Sequence, residues 1–324
     1  MRDLVPKAIL RNDLQRHPAV LAWSRIGVKR PEPDEIQVLK GNKSEIYRLR
    51  GSGPNGSNVI AKRCRAETAL KERAIYREVL PCLPLLTLRC FGFLEDDNTE
   101  FRWLFLEDAG TQPFQPELLE HRRAFAQWLG ILHGAGQQVQ AARSLPARGP
   151  AHFLEHLRLA RAEIERNFGN PALTGEDRLL LKEIIWQCDH VEAQWGQLEL
   201  LCERMPRTFV HCDLKRANMR VRETENGLAL LCFDWETGGW GLTGPDLVKC
   251  PDLHHYRAVA HWAWPELGAG EVAQMVNVGR LFVMLAEMHW ESCRLQYQWV
   301  ERPRLALRAC HEKLAEAIRR PEMN

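Results

Sequence analysis

Apolar positions change their spacing along this chain near Gly110. Before it they fall in short runs: residues 35–39, 45–49 and 58–62 read as strands, with Gly51-Ser-Gly-Pro-Asn-Gly56 turning the chain between the last two. Residues 66–80 are rich in helix formers and stop at Pro81, after which 88–93 and 102–106 resume strand character. Beyond Gly110 apolar residues recur every three and four positions, predicting helices over 116–133, 152–168, 176–202, 272–289 and 305–318. Three brief strands interrupt them at 208–210, 219–221 and 228–233. The pattern predicts an α+β protein, β-rich with one helix up to about residue 106 and mainly helical afterwards.

Composition narrows the function. With 45% hydrophobic and 27% charged residues in 324, the chain reads as an ordinary globular protein. A formal charge of +2 gives no broad cationic surface, so no nucleic-acid partner is expected. No apolar run approaches the roughly 20 residues that cross a bilayer, and Arg11, Asp13 and Arg16 follow an N-terminus with no hydrophobic signal core. The expectation is a cytoplasmic protein without a membrane partner. Ten cysteines without any C-x-x-C pair read as reduced and mostly buried.

The densest polar chemistry follows two of the brief strands. His211-Cys-Asp213-Leu-Lys215-Arg-Ala-Asn218 comes after the first, and Phe233-Asp234-Trp235-Glu236 ends the later hairpin. Phosphoryl transfer needs a carboxylate to orient and deprotonate a hydroxyl, and oxygen ligands to hold Mg²⁺ against phosphates. Asp213 suits the first task, and Asn218 with Asp234 the second, with Glu236 as a further acidic ligand.

These residues resemble the aminoglycoside phosphotransferase and choline kinase families, whose H-G-D-x-x-x-x-N loop and I-D-W/F-E/D segment they match. Gly244-Pro-Asp-Leu247 is similar to the D-L-A-like segment that follows. The resemblance implies a bilobal protein-kinase-like fold: an N-terminal lobe over 1–106, a hinge at 107–110, and a helical C-terminal lobe over 111–324 with an insertion near 150–205. It implies ATP and Mg²⁺, with transfer of the γ-phosphoryl group to a hydroxylated small molecule, whether antibiotic, sugar, choline or amino alcohol. Val59-Ile-Ala-Lys62 resembles the V-A-I-K strand, making Lys62 the phosphate clamp, Glu72 its ion-pair partner with Glu78 as second choice, and Ala61 a roof for adenine. Gly41, Asn42, Lys43 and Ser44 stand where the phosphate-covering loop falls, Glu107 and Ala109 where main-chain groups meet adenine, and Lys215 where a cation stabilises the transferred group.

Two departures keep other readings open. Cys212 replaces the usual glycine, and Asp213-Leu-Lys215 is similar to the D-L-K of protein serine/threonine kinases, so a protein acceptor is the runner-up and a nucleotide-binding pseudokinase the non-enzymatic alternative. His152, Glu155 and His156 match H-x-x-E-H and offer a remote zinc-hydrolase reading. Trp262, Trp264, Trp290 and Trp299, with Asp246 and Glu266, are candidate walls of the acceptor pocket.

Overall fold

The computed structural model describes residues 6–26, 32–41, 44–95, 100–225 and 227–318. The chain divides into two compact units, one of residues 1–145, 213–238 and 250–263, the other of 146–212, 239–249 and 264–324.

The first unit is built on a six-stranded antiparallel sheet ordered β1 (Ala8–Leu10), β2 (Ile36–Gly41), β3 (Glu45–Leu49), β4 (Val59–Arg65), β6 (Phe101–Glu107) and β5 (Cys90–Leu94). Because successive side chains point to opposite faces, each strand serves two environments. Leu49, Val59, Ala61, Trp103 and Phe105 meet Ala19, Val20, Ala22 and Trp23 of α1 (Pro18–Ser24) in one core. α1 starts where the His17 ring accepts the Ala19 N–H and Pro18 opens the first turn. The Trp23 indole N–H donates to the Ser52 carbonyl at 3.2 Å, so this large ring is buried with its polar atom satisfied. The opposite parity, with Ile46, Arg48, Ile60, Lys62 and Leu106, lines a cavity.

The helix expected over 66–80 is present but changes its winding: α2 (Ala66–Ala74) runs into a wider π turn, Ile75–Val79, before Pro81. The same unit holds α3 (Leu119–Gly136), the hairpin of β9 (Met219–Thr224) with β10 (Gly227–Cys232), and α8 (Leu253–Ala260).

The second unit contains α4 (Pro150–Arg166), α5 (Gly175–Ala193), α6 (Trp195–Glu203), α7 (Gly244–Leu247), α9 (Ala269–Ser292) and α10 (Glu301–Ile318). A small sheet accompanies them, ordered β7 (Ala147–Arg148), β11 (Gly239–Leu242) and β8 (Arg207–Val210). The pattern of apolar residues predicts one helix over 176–202; the structure breaks it at Gln194, whose φ of −100° and ψ of 7° leave the helical region. A capping box fixes the start of α5, where the Thr174 side chain accepts the Asp177 N–H and the Asp177 carboxylate accepts the Thr174 N–H. β11 escapes sequence reading because glycine has low strand propensity, yet a Cβ at Gly241 would stand 2.1 Å from the Arg148 carbonyl oxygen. No helix among the described residues is long and apolar enough to cross a membrane.

α4 and α9 meet through Phe153 stacked on Phe282 at 4.3 Å. Beside them His156 Nδ1 stands 2.8 Å from His289 Nδ1, and the His152 ring centre is 4.7 Å from that of His156. Among the described residues no three His, Cys, Asp or Glu side chains converge to hold a metal, so the H-x-x-E-H match gains no third ligand. Burial, then His289 and Arg148, push His156 down to about 4 from an ordinary 6.5. The unfolded chain therefore binds a proton below pH 6.5 that the folded chain refuses, and stability drains as pH falls from 6.5 towards 4. Urea midpoints measured from pH 7.5 to 4.5 should fall less steeply for His156→Leu than for the wild type; parallel curves would show that His156 contributes no such linkage.

Candidate active site

The cavity on the sheet's second face encloses about 490 Å³ within the first unit, a volume typical of small-ligand sites. Its centre is Lys62, 4% exposed, whose Nζ meets Glu72 Oε1 at 2.9 Å and Asp234 Oδ1 at 2.5 Å. Burial works against the ammonium, but the charges of Glu72 and Asp234 outweigh it and hold Lys62 well above its ordinary value. For Asp234, burial would raise the carboxyl, yet Lys62 first, then Lys40 and Lys215, hold it below the usual carboxylate range. Glu72 goes the other way: it is fully buried, and desolvation exceeds the pull of Lys62. Of the two expected partners for Lys62, the structure brings in Glu72 and leaves Glu78 outside the cavity lining.

Asp234 sits at φ 67°, a left-handed conformation that short polar side chains tolerate better than most. It follows Phe233, whose N–H donates to the Asn218 carbonyl at 3.1 Å, so the two loops are stitched together. Asp213 Oδ2 accepts from Lys215 Nζ at 2.6 Å and from Asn218 Nδ2 at 3.1 Å. Lys215 and Asn218 line the cavity, and Asp213 does not line it but is bonded to both. With Asn218 Nδ2 occupied by Asp213 and Asp234 Oδ1 by Lys62, no protein donor among the described residues reaches Asn218 Oδ1 or Asp234 Oδ2. Two such oxygens in one cavity fit Mg²⁺, a hard cation that takes one or two protein oxygens and completes its shell with phosphate and water.

Other expected residues fall differently. Glu236 does not line the cavity, and its backbone carbonyl accepts Lys71 Nζ at 2.7 Å. Ala61 is corrected by strand parity: it is fully buried in the α1 core, and Ile60, its neighbour of opposite parity, faces the cavity. Ser44 is buried outside the lining, Gly41 closes β2 opposite Glu45, and Asn42 and Lys43 lie outside the described residues. Glu107 and Ala109 both line the cavity, as do Asp108 and Gly110 between and after them.

Sequence reasoning misses Arg48 and Asp108. Arg48 Nε lies 2.8 Å from Asp108 Oδ2, to which Asn58 Nδ2 also donates at 3.0 Å, while the Gly110 N–H donates to Asp108 Oδ1 at 3.2 Å. This network ties residues 107–110 to β3. The available signal was parity, since Arg48 shares the alternation of Ile46 across the strand.

In the second unit Asp246, fully buried, accepts the N–H of His211 at 2.8 Å and of Cys212 at 2.7 Å. It is thus a brace for the strand end rather than a pocket wall. The tryptophans occupy separate places: Trp290 stands edge-on to His156, Trp299 stacks on Tyr297 at 4.6 Å, and Trp262 is 55% exposed.

The structure thus brings together a buried lysine, two carboxylates of which one follows the second hairpin, and an Asp–Asn loop. The profile of the APH phosphotransferase enzyme family matches residues 35–289, and the chain belongs to that family. Among solved structures, a microcompartment-associated aminopropanol kinase is 13% identical, with 92% of this chain and 95% of that one covered at a TM-score of 0.64. The choline kinase of Cryptosporidium parvum is 11% identical over 90% and 89% of the two chains, with a TM-score of 0.57. A spectinomycin phosphotransferase in complex with ADP and spectinomycin is 10% identical over 89% and 90%, with a TM-score of 0.54. These similarities show a shared bilobal, protein-kinase-like α+β fold. No curated protein sequence matches the chain.

The family's usual glycine before the Asp now has a physical reason here, because Cys212 holds a φ of 60°. That conformation costs an L-residue about 1–2 kcal/mol and glycine almost nothing. Cys212→Gly should therefore fold with undiminished stability, while Cys212→Val should lose at least about 1 kcal/mol in urea unfolding. Equal losses in both would contradict a backbone origin.

Proposed function

We propose that this phosphotransferase moves the γ-phosphoryl group of ATP, with Mg²⁺, to a hydroxyl of a small molecule. The observation that carries the reading is Lys62, buried between Glu72 and Asp234 in the cavity that Asn218 and residues 107–110 also line. In this reading residues 1–106 form the nucleotide-covering lobe, 107–110 the hinge, and 111–324 the lobe that receives the acceptor. Main-chain groups of Glu107 and Ala109 meet the adenine, Ile60 covers its face, and Lys62 pairs with the α- and β-phosphates.

Asp213 takes the proton of the acceptor hydroxyl as its oxygen bonds to the γ-phosphorus and the bond to the leaving ADP breaks. Its contacts with Lys215 and Asn218 aim the carboxylate, and Lys215 stands ready to neutralise the transferring group. Asn218 and Asp234 would hold Mg²⁺, which would supply neutralisation of phosphate charge. Glu236 is left out of this assignment because it does not line the cavity.

The likeness to an aminopropanol kinase, a choline kinase and a spectinomycin phosphotransferase supports a small hydroxylated acceptor over a protein. The ten cysteines, all free, support a reducing compartment such as the cytoplasm.

ATP turnover measured across amino alcohols, sugars and hydroxylated antibiotics, with one generic protein substrate included, tests the reading. Asp213→Asn should lower kcat at least about a hundredfold and spare ATP affinity, since general-base catalysis contributes 10²–10⁴. Lys62→Ala should weaken ATP binding itself. Turnover of the protein alone, or an Asp213→Asn enzyme of undiminished kcat, would sink the assignment.

A further inference from the structure

Two cations that line the cavity have no ion-pair partner among the described residues. Lys40 on β2 and Lys7, just before β1, both line it. Lys62 is paired with Glu72 and Asp234, Lys215 with Asp213, and Arg48 with Asp108. For Lys7 and Lys40, by contrast, no carboxylate among the described residues lies within ion-pair distance.

The backbone turns Lys40 inward by a specific device. Val38 pairs with Tyr47 and Lys40 with Ile46, so Leu39 is an extra residue in β2, a β-bulge. In a regular strand neighbours point to opposite faces; here Leu39 and Lys40 both line the cavity. The strand gives up one step of its ladder and gains a half-buried ammonium over the site. That charge reaches Asp234, being among the cations, after Lys62, that hold its carboxyl down. β1 then adds Lys7 through the edge of the same sheet, where its N–H donates to the Val38 carbonyl at 2.7 Å.

We propose that Lys40, assisted by Lys7, is a specificity element for the phosphoryl donor: the pair binds the polyphosphate tail from the β1–β2 edge and selects nucleoside triphosphates and diphosphates over monophosphates. The proposal rests on the nucleotide reading of the cavity. Two unpaired ammonium groups line the same cavity as a third, buried one, and a chain of phosphates is a ligand chemistry that can meet all three. A point charge on a flexible stem suits this task, because it follows phosphate oxygens without a fixed fork geometry. Since the acceptor meets Asp213, the pair acts on the donor alone.

The test is calorimetric titration of the full chain with Mg-ATP and, separately, with AMP, for the wild type, Lys40→Ala, Lys40→Arg and Lys7→Ala. Lys40→Ala should weaken Mg-ATP binding about tenfold and leave AMP affinity within about twofold; Lys40→Arg should recover most of the loss, and Lys7→Ala should cost less than Lys40→Ala. The Mg-ATP affinity of Lys40→Ala should also depend less on salt between 50 and 300 mM than that of the wild type, as one charge fewer is screened. Equal weakening of ATP and AMP would reveal a merely structural lysine and overturn the proposal, as would unchanged ATP affinity. A wild-type protein that binds no nucleotide at all would overturn the nucleotide reading as well, so the two failures are told apart.

Discussion

The structure of the site depends on one buried ammonium. Taking Lys62 out of water costs several kcal/mol, a penalty that only close carboxylates can offset, and Glu72 and Asp234 both lie within 3 Å of it. Those three side chains come from β4, α2 and the end of β10, so one charge ties three separate elements of the first unit together. The tie has direction as well as strength: Glu72 is entirely buried and has no other hydrogen-bond partner among the described residues, while one oxygen of Asp234 meets no donor among them. A rigid partner on one side and a shared one on the other leave Lys62 aimed at whatever fills the cavity.

The sheet makes this arrangement possible because its two faces are chemically unlike. One parity of β3, β4 and β6 packs aromatic and aliphatic side chains against α1, and the other presents Arg48, Lys62 and flanking apolar residues to the cavity. The core face supplies the burial that stabilises the strands, and the second face carries charges that a core would not tolerate. Glycine performs a comparable service in the second unit, where Gly241 lets β11 approach Arg148 closely enough to pair.

The long periodic helices and the strands around the turn at residues 51–56 were legible in the sequence, since hydrophobic spacing and turn residues both reported them. The sequence also groups Lys62 with Glu72 and Asp213 with Asn218, and in the structure these pairs are in contact, with Asp234 beside Lys62. Ala61 departs from the expectation because alternation from Lys62 puts Ile60, not Ala61, on the cavity face. Lys40 was invisible because a bulge overrides that same alternation, and nothing in the residues themselves announces one. The sequence offers Asp246 as a pocket wall, whereas its carboxylate accepts two backbone N–H groups. α1 is too short for its period to show, and β11 is too rich in glycine.

If Lys62, Asn218 and Asp234 form one nucleotide and metal site, ATP affinity and Mg²⁺ must be coupled through Asp234. Titration calorimetry with ATP, in the presence and absence of Mg²⁺, on the wild type and Asp234→Asn measures that coupling directly. The account predicts that Mg²⁺ tightens ATP binding to the wild type and has little effect on Asp234→Asn. An equal Mg²⁺ effect in both proteins, or no heat of ATP binding at millimolar concentration, would contradict it.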